Sequence, residues 1–135
     1  MNLLPVAAER QQSGWHLALN DTADMAVTLP FGSSWDSSLE EHSAVWLGVR
    51  PESILLQPAD DTFSVQLTVR NIEVLGAHST IHATWGNVPV TISIETEWNG
   101  NFGQHLTAHI PLDAVHFFDQ TSGRRLHQTA HDMAA

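Results

Sequence analysis

The chain has 135 residues, room for one ordinary domain with a real core and too few for two. It has no cysteine, which excludes disulfides, thiolate metal sites and thiol catalysis. Five arginines and no lysine face fifteen acidic residues, a formal charge of -10 that argues against nucleic acid or an anionic bilayer surface as the main partner and excludes the P-loop and every other lysine-dependent chemistry.

From the N-terminus, Met1-Asn2-Leu3-Leu4-Pro5 has neither the basic region nor the long apolar stretch of a signal peptide. No apolar run approaches the ~20 residues of a membrane span. The expectation is a soluble, intracellular chain with no direct membrane insertion. Two-residue alternation then dominates. Trp15, Leu17 and Leu19 alternate with polar or small residues; Met25, Val27 and Leu29 follow, then Val45, Leu47 and Val49. Such spacing predicts half-buried strands. The Phe63–Leu75 stretch alternates on odd positions as far as Val69, then continues through Ile72 and Val74 on even ones. One extra residue near Arg70-Asn71 would shift the phase, so a bulge in a long strand is expected there. Val88–Ile94 and Leu106–Ile110 complete the strand pattern.

Turn chemistry separates these runs at Gln12-Ser13-Gly14, Ala59-Asp60-Asp61, Trp85-Gly86-Asn87, Asn99-Gly100-Asn101 and Gln120-Thr121-Ser122-Gly123. Helix signals are few: Ser37 with Glu40 could cap a short turn over Leu39–His42, and Pro51-Glu52 could open another. About eight short strands predict an all-β fold, a small antiparallel barrel with little helix. It would occupy residues 1–126, leaving 127–135 as a flexible tail without apolar rhythm.

Nine histidines invite a metal hypothesis. His78 with His82, and His105 with His109, would share a strand face but lie roughly 13 Å apart, too far for one ion. Only His127 and His131, if helical, have ligand spacing, with Asp132 as the sole nearby third donor. Solvated histidines on strand faces are the simpler expectation, with no metal. The acidic pairs Glu40-Glu41, Asp60-Asp61 and Glu95/Glu97 read as solvated turn residues before they read as acid–base couples. Nothing in the sequence gathers a Ser–His–acid set, and five tryptophans suit sheet packing.

Particular words go further than periodicity. Leu47-Gly48-Val49-Arg50-Pro51-Glu52-Ser53-Ile54 resembles the L-G-[IV]-R-P-E-x-[IL] segment of the C-terminal domain of ABC importer ATPase subunits, a TOBE-type, OB-like barrel of the maltose and glycerol-3-phosphate class. Ile72-Glu73-Val74-Leu75-Gly76 resembles its [VI]-E-x-L-G strand end. Phe117-Phe118-Asp119 and Gly123-Arg124-Arg125-Leu126 resemble its closing stretch, and Met1-Asn2-Leu3-Leu4 the junction that follows the nucleotide-binding domain. The Trp85-Gly86 pair is most similar to the glycerol-3-phosphate import branch. The words stand in family order over nearly the whole chain. Two departures are the long Phe31–His42 loop and an extra residue, Ser122, in the closing turn.

The resemblance implies a non-catalytic regulatory and dimerisation domain, with a nucleotide-binding domain upstream of residue 1. ATP and magnesium would bind in that parent subunit, and this chain itself would hold no cofactor. The implied partners are its own copy, the upstream domain and a regulatory protein. The implied location is cytoplasmic, peripheral to the membrane through the transporter. Two alternatives are a sensor of small ligands or oxyanions, and a stand-alone hydrolase. The family-word residues also have structural readings. Gly48, Gly76 and Gly86 suit close approaches or positive φ, with Leu75 and Trp85 beside two of them. Pro51 would set a turn with Arg50 and Glu52 at its shoulders, pinned by an ion pair of either one. Phe118 would enter the core, and Asp119 would cap the turn to Gly123.

Overall fold

Two-residue alternation becomes nine strands in a computed structural model that describes residues 1–12, 14–19, 22–30, 39, 44–96, 98 and 100–126. In chain order these are β1 (Asn2–Gln11), β2 (Gly14–Leu19), β3 (Thr22–Leu29), β4 (Ala44–Val49), β5 (Thr62–Leu75), β6 (His78–Trp85), β7 (Val88–Ile94), β8 (His105–Pro111) and β9 (His116–Asp119). Two short 3-10 turns, Pro51–Ser53 and Leu112–Ala114, complete the described elements. The strands form a five-stranded sheet in the order β3-β2-β1-β4-β9 and a four-stranded sheet in the order β7-β6-β5-β8. The fold is all-β, as the alternation predicts, and OB-like, as the resemblance implies. Within the span read as one domain the chain forms two compact units, Met1–Asn2 with Val49–Val115, and Leu3–Gly48 with His116–Ala135.

In the first unit β5 is the organising strand. Its N-terminal half pairs with β8 (Phe63↔Ile110, Val65↔Ala108, Leu67↔Leu106) and its C-terminal half with β6. Phe63, Val65, Leu67 and Val69 are buried, while Ser64 and Gln66 face outward. The register then slips: Val69 opposes Ala83 but Asn71 opposes His82, leaving Arg70 as the extra residue. The bulge stands where the change of phase places it. Burial does not continue beyond it: Ile72 is only half-buried, and Val74 and Leu75 are 46% and 63% exposed. The expected apolar set on even positions is therefore not a core set, because β8 pairs with β5 only as far as Thr68.

Both edge strands of this sheet are partly covered. On β7, the Asn2 side chain donates to the Thr91 carbonyl and accepts from the Thr91 N–H, each at 2.8 Å. The 3-10 turn Pro51–Ser53 also packs against β7. On β8, Leu55 and His109 exchange two backbone hydrogen bonds of 2.8 Å.

In the second unit β1 pairs with β2 from Val6↔Leu19 to Gln11↔Gly14, and β4 pairs with β9. Leu4, Val6, Leu17, Leu29, Val45 and Leu47 are almost completely buried. Pro5 precedes the first β1–β2 pair, so its missing N–H breaks no rung of that ladder. Gln120 Nε2 donates to the carbonyls of Val45 (2.8 Å) and Val6 (3.3 Å), tying β4 to β1. One expectation is corrected here: Phe117, opposite Leu47, is the core aromatic at 3% exposure, and Phe118, opposite Trp46, is half-buried. The β4–β9 register turns odd positions of β9 inward, and a one-residue choice exchanges the two rings.

The capped turn expected over Leu39–His42 and most of the Phe31–His42 loop lie outside the described residues, although Leu39 itself is buried. The 127–135 tail with His127 and His131 also lies outside them. Among the described residues no helix is long and apolar enough to cross a membrane.

Candidate functional site

Arg50-Pro51-Glu52 forms the turn that leaves β4. Arg50 is extended (φ -75, ψ 145), as the residue before proline must be, and Pro51 opens the 3-10 turn. The turn is closed by the Ser53 N–H donating to the Arg50 carbonyl at 3.0 Å. Arg50 and Glu52 are exposed, and among the described residues neither makes the ion pair expected to pin the loop. Proline stiffness and the backbone bond do that work. Gly48 is buried in β4 opposite His116, and its φ is not positive.

Leu75-Gly76 and Trp85-Gly86 mark the two ends of β6. Gly76 (φ 67) and Ala77 join β5 to β6; Gly86 (φ 59) and Asn87 join β6 to β7. Positive φ at the first central residue and not at the second is the pattern of a type II′ turn, which matches strand twist. Trp85 is buried at 2% exposure, whereas Leu75 stands open. Eight strand residues separate the two glycines, on the order of 25 Å, so these words do not converge on one cleft.

The closing word builds a capped turn. Asp119 Oδ1 accepts from the Thr121 N–H (3.4 Å), and Oδ2 accepts from both the N–H (3.2 Å) and the hydroxyl (2.8 Å) of Ser122. Ser122 Oγ in turn accepts from the Arg124 N–H at 3.2 Å. The Gly123 N–H donates to the Asp119 carbonyl at 2.7 Å, with Gly123 at φ 72. Ser122 is thereby part of the cap. The chain then returns along β9: Asp119 N–H to Arg124 O and Leu126 N–H to Phe117 O, both at 2.8 Å. Arg125 Nη2 lies 2.6 Å from His116 Nδ1, the cation donating to a neutral imidazole.

The outward face of the four-stranded sheet carries several titratable side chains. His82 Nε2 lies 2.6 Å from Glu73 Oε1 on the exposed surface. His109 Nδ1 is 3.2 Å from Ser64 Oγ, a cross-strand pair in which nothing in the geometry orients the imidazole as a base. Among the described residues no three His, Asp or Glu side chains are grouped to hold a metal ion. Asp60 and Asp61 sit in the exposed turn before β5; Glu95 is exposed, and Glu40, Glu41 and Glu97 lie outside the described residues. The arrangement offers turns, edges and a polar sheet face, a scaffold for contact.

Sequence reasoning missed two working side chains, Asn2 and Gln120. Asn2 was visible only as a letter of the junction word; its partner lies 89 positions away.

Comparison with known proteins agrees with these words. Residues 47–118, more than half of the chain, match the family described as the TOBE domain. The sn-glycerol-3-phosphate import ATP-binding protein UgpC of Escherichia coli O1:K1 / APEC is 29% identical over 126 residues, covering 93% of this chain and 33% of that protein. The protein of the same name from Cupriavidus pinatubonensis is 30% identical over 133 residues, covering 93% and 35%. That of Paraburkholderia xenovorans is 38% identical over 79 residues, covering 58% and 22%. The chain spans about a third of the length of the relatives it matches most fully. With its all-β fold and the family words at its turns, the chain belongs to the TOBE domain family.

Proposed function

We propose that this chain is the regulatory domain of the ATP-binding subunit of an ABC importer, and that the imported substrate is sn-glycerol-3-phosphate. The observation that carries the reading is the match of 93% of this chain to one third of proteins named for that import. Two further facts support it. The chain has no lysine and hence no P-loop, so ATP and magnesium chemistry belongs to a preceding nucleotide-binding domain. The family-word residues Arg50, Pro51, Gly76, Gly86, Asp119 and Gly123 shape turns.

In this role the domain works by contact. Pairing with its own copy in the ATPase dimer raises the effective concentration of the two halves around each other and favours reclosure. A regulator bound to it shifts that balance by its differential affinity for open and closed dimers. The domain sits on the cytoplasmic side, peripheral to the membrane through its complex. The oxyanion-sensor alternative has less support, since Arg70 is engaged with Thr84 through Nε (3.2 Å) and Arg125 with His116.

The test is uptake of labelled substrate by a transporter reconstituted with the full-length subunit that contains this chain. Uptake of sn-glycerol-3-phosphate in preference to maltose is expected. Maltose uptake with no sn-glycerol-3-phosphate uptake would contradict the substrate, and absence of any ATP-driven uptake would contradict the importer.

A further inference from the structure

In a two-residue hairpin the residues flanking the turn, here Leu75 and His78, exchange hydrogen bonds. Along β5 the backbone groups of Val74 and Ile72 therefore point away from β6. Val69, across the bulge, points the same way, and there its N–H donates to Gln104 O (3.0 Å) and its carbonyl accepts from Gly103 N–H (2.8 Å). Since β8 pairs only with Thr62–Thr68, the outward side of β5 beyond Val69 is a strand edge among the described residues. The Ile72 N–H on that side is taken by its neighbour's Asn71 Oδ1 at 2.9 Å. Among the described residues the Val74 N–H and carbonyl have no partner there.

Apolar side chains gather at this edge. Of the six large hydrophobic residues that stand exposed among the described residues, three belong to it: Val74 (46%), Leu75 (63%) and Phe102 (70%). Phe102 lies in the loop that bonds Val69. That loop is stiffened by the Asn101 N–H donating to Gln104 Oε1 at 2.9 Å and the Gln104 N–H donating to Asn101 O at 3.3 Å. An ordered loop thus presents a phenyl ring at one end of the edge, and the hairpin tip presents Leu75 at the other. The charges on this part of β5 are Glu73, exposed and 2.6 Å from His82 Nε2, and Arg70, engaged with Thr84. No lysine guards the edge, and a second copy would bring -10 against -10.

We infer that the distal edge of β5, Ile72–Leu75 with Phe102 beside it, takes up an extended apolar segment of a partner protein as an added strand, the segment being flanked by Lys or Arg. The Ile72 carbonyl and both backbone groups of Val74 supply the main-chain bonds, and Phe102, Val74 and Leu75 supply the apolar contacts. The inference does not depend on the transporter reading.

The test is amide exchange of the full chain titrated with a short synthetic peptide of alternating threonine and valine with lysine at each end, and with the same peptide ending in glutamate. Exchange at Val74 should slow with the lysine-ended peptide, and the glutamate-ended one should bind roughly tenfold more weakly. Val74→Pro removes an N–H on the outer side, so the fold should persist and the binding should vanish. Phe102→Ser, at an exposed position, should weaken binding severalfold and carries the test if the proline variant does not fold. Unchanged exchange at Val74 under saturating peptide, or binding by both substituted chains as tight as that of the unsubstituted chain, would overturn the inference. Slowing at Val74 caused by rising concentration of the chain alone would make the occupant a second copy and overturn it equally.

Discussion

Asn2 holds Thr91 by both of its main-chain groups, across 89 positions of sequence. The carboxamide reproduces the donor and acceptor of a neighbouring strand, so one side chain closes a rung on the edge of β7. Asn2 is buried at 8% exposure, and loss of its side chain would strand both groups of Thr91. Asn2→Ala should destabilise the fold by about 1–3 kcal/mol. Asn2→Asp keeps an acceptor for the Thr91 N–H but turns an oxygen towards the carbonyl, so it should not restore stability. Denaturant midpoints of the three proteins check this.

The Gly76 turn gives a sharper contrast. Gly76→Val forces a β-branched residue to φ near 67 and should cost about 1–3 kcal/mol. Ala77→Val, one residue on and exposed, should change stability by no more than about 0.5 kcal/mol. Equal midpoints for the two variants would show that the turn does not require glycine.

The Asp119 carboxylate accepts three hydrogen bonds within four residues. Asp119→Ala should therefore cost about 1–2 kcal/mol and speed amide exchange at Ser122 and Leu126, where the returning strand begins to detach. Asp119→Asn, which retains one acceptor oxygen, should fall between the two. Exchange rates measured at those two amides decide the matter.

Calorimetric titration of the isolated chain with Mg-ATP should release no heat of micromolar binding, because the lysine-bearing phosphate cradle has no counterpart in this sequence. Saturable binding at that level would place a nucleotide site in the domain.

What could be read from sequence and what could not divide along physical lines. The bulge at Arg70 was legible because a change of phase in a two-residue period has few other causes. The Asp119 cap was legible because an acid four residues before a glycine offers its own turn chemistry. β6 was harder to see, since its inward positions include Ser79 and Ala83, small residues that break the apolar rhythm yet are buried. The Ser79 hydroxyl compensates for its burial by accepting from the Trp98 N–H at 3.0 Å. The choice between Phe117 and Phe118 needed the β4–β9 register, and the slip between Ala18 and Leu19 on β2 left no mark in the pattern. The roles of Asn2 and Gln120 rest on long-range partners that composition and spacing cannot supply.

The most direct test of the central claim is ATP hydrolysis by a full-length subunit containing this chain, compared with a folded version from which the chain has been removed. If the domain regulates by contact, the truncated subunit should still hydrolyse ATP while its dimer separates more fully between turnovers, because the ATP site loses a tether and no catalytic group. A folded truncated subunit with no ATPase activity at all would contradict the regulatory assignment.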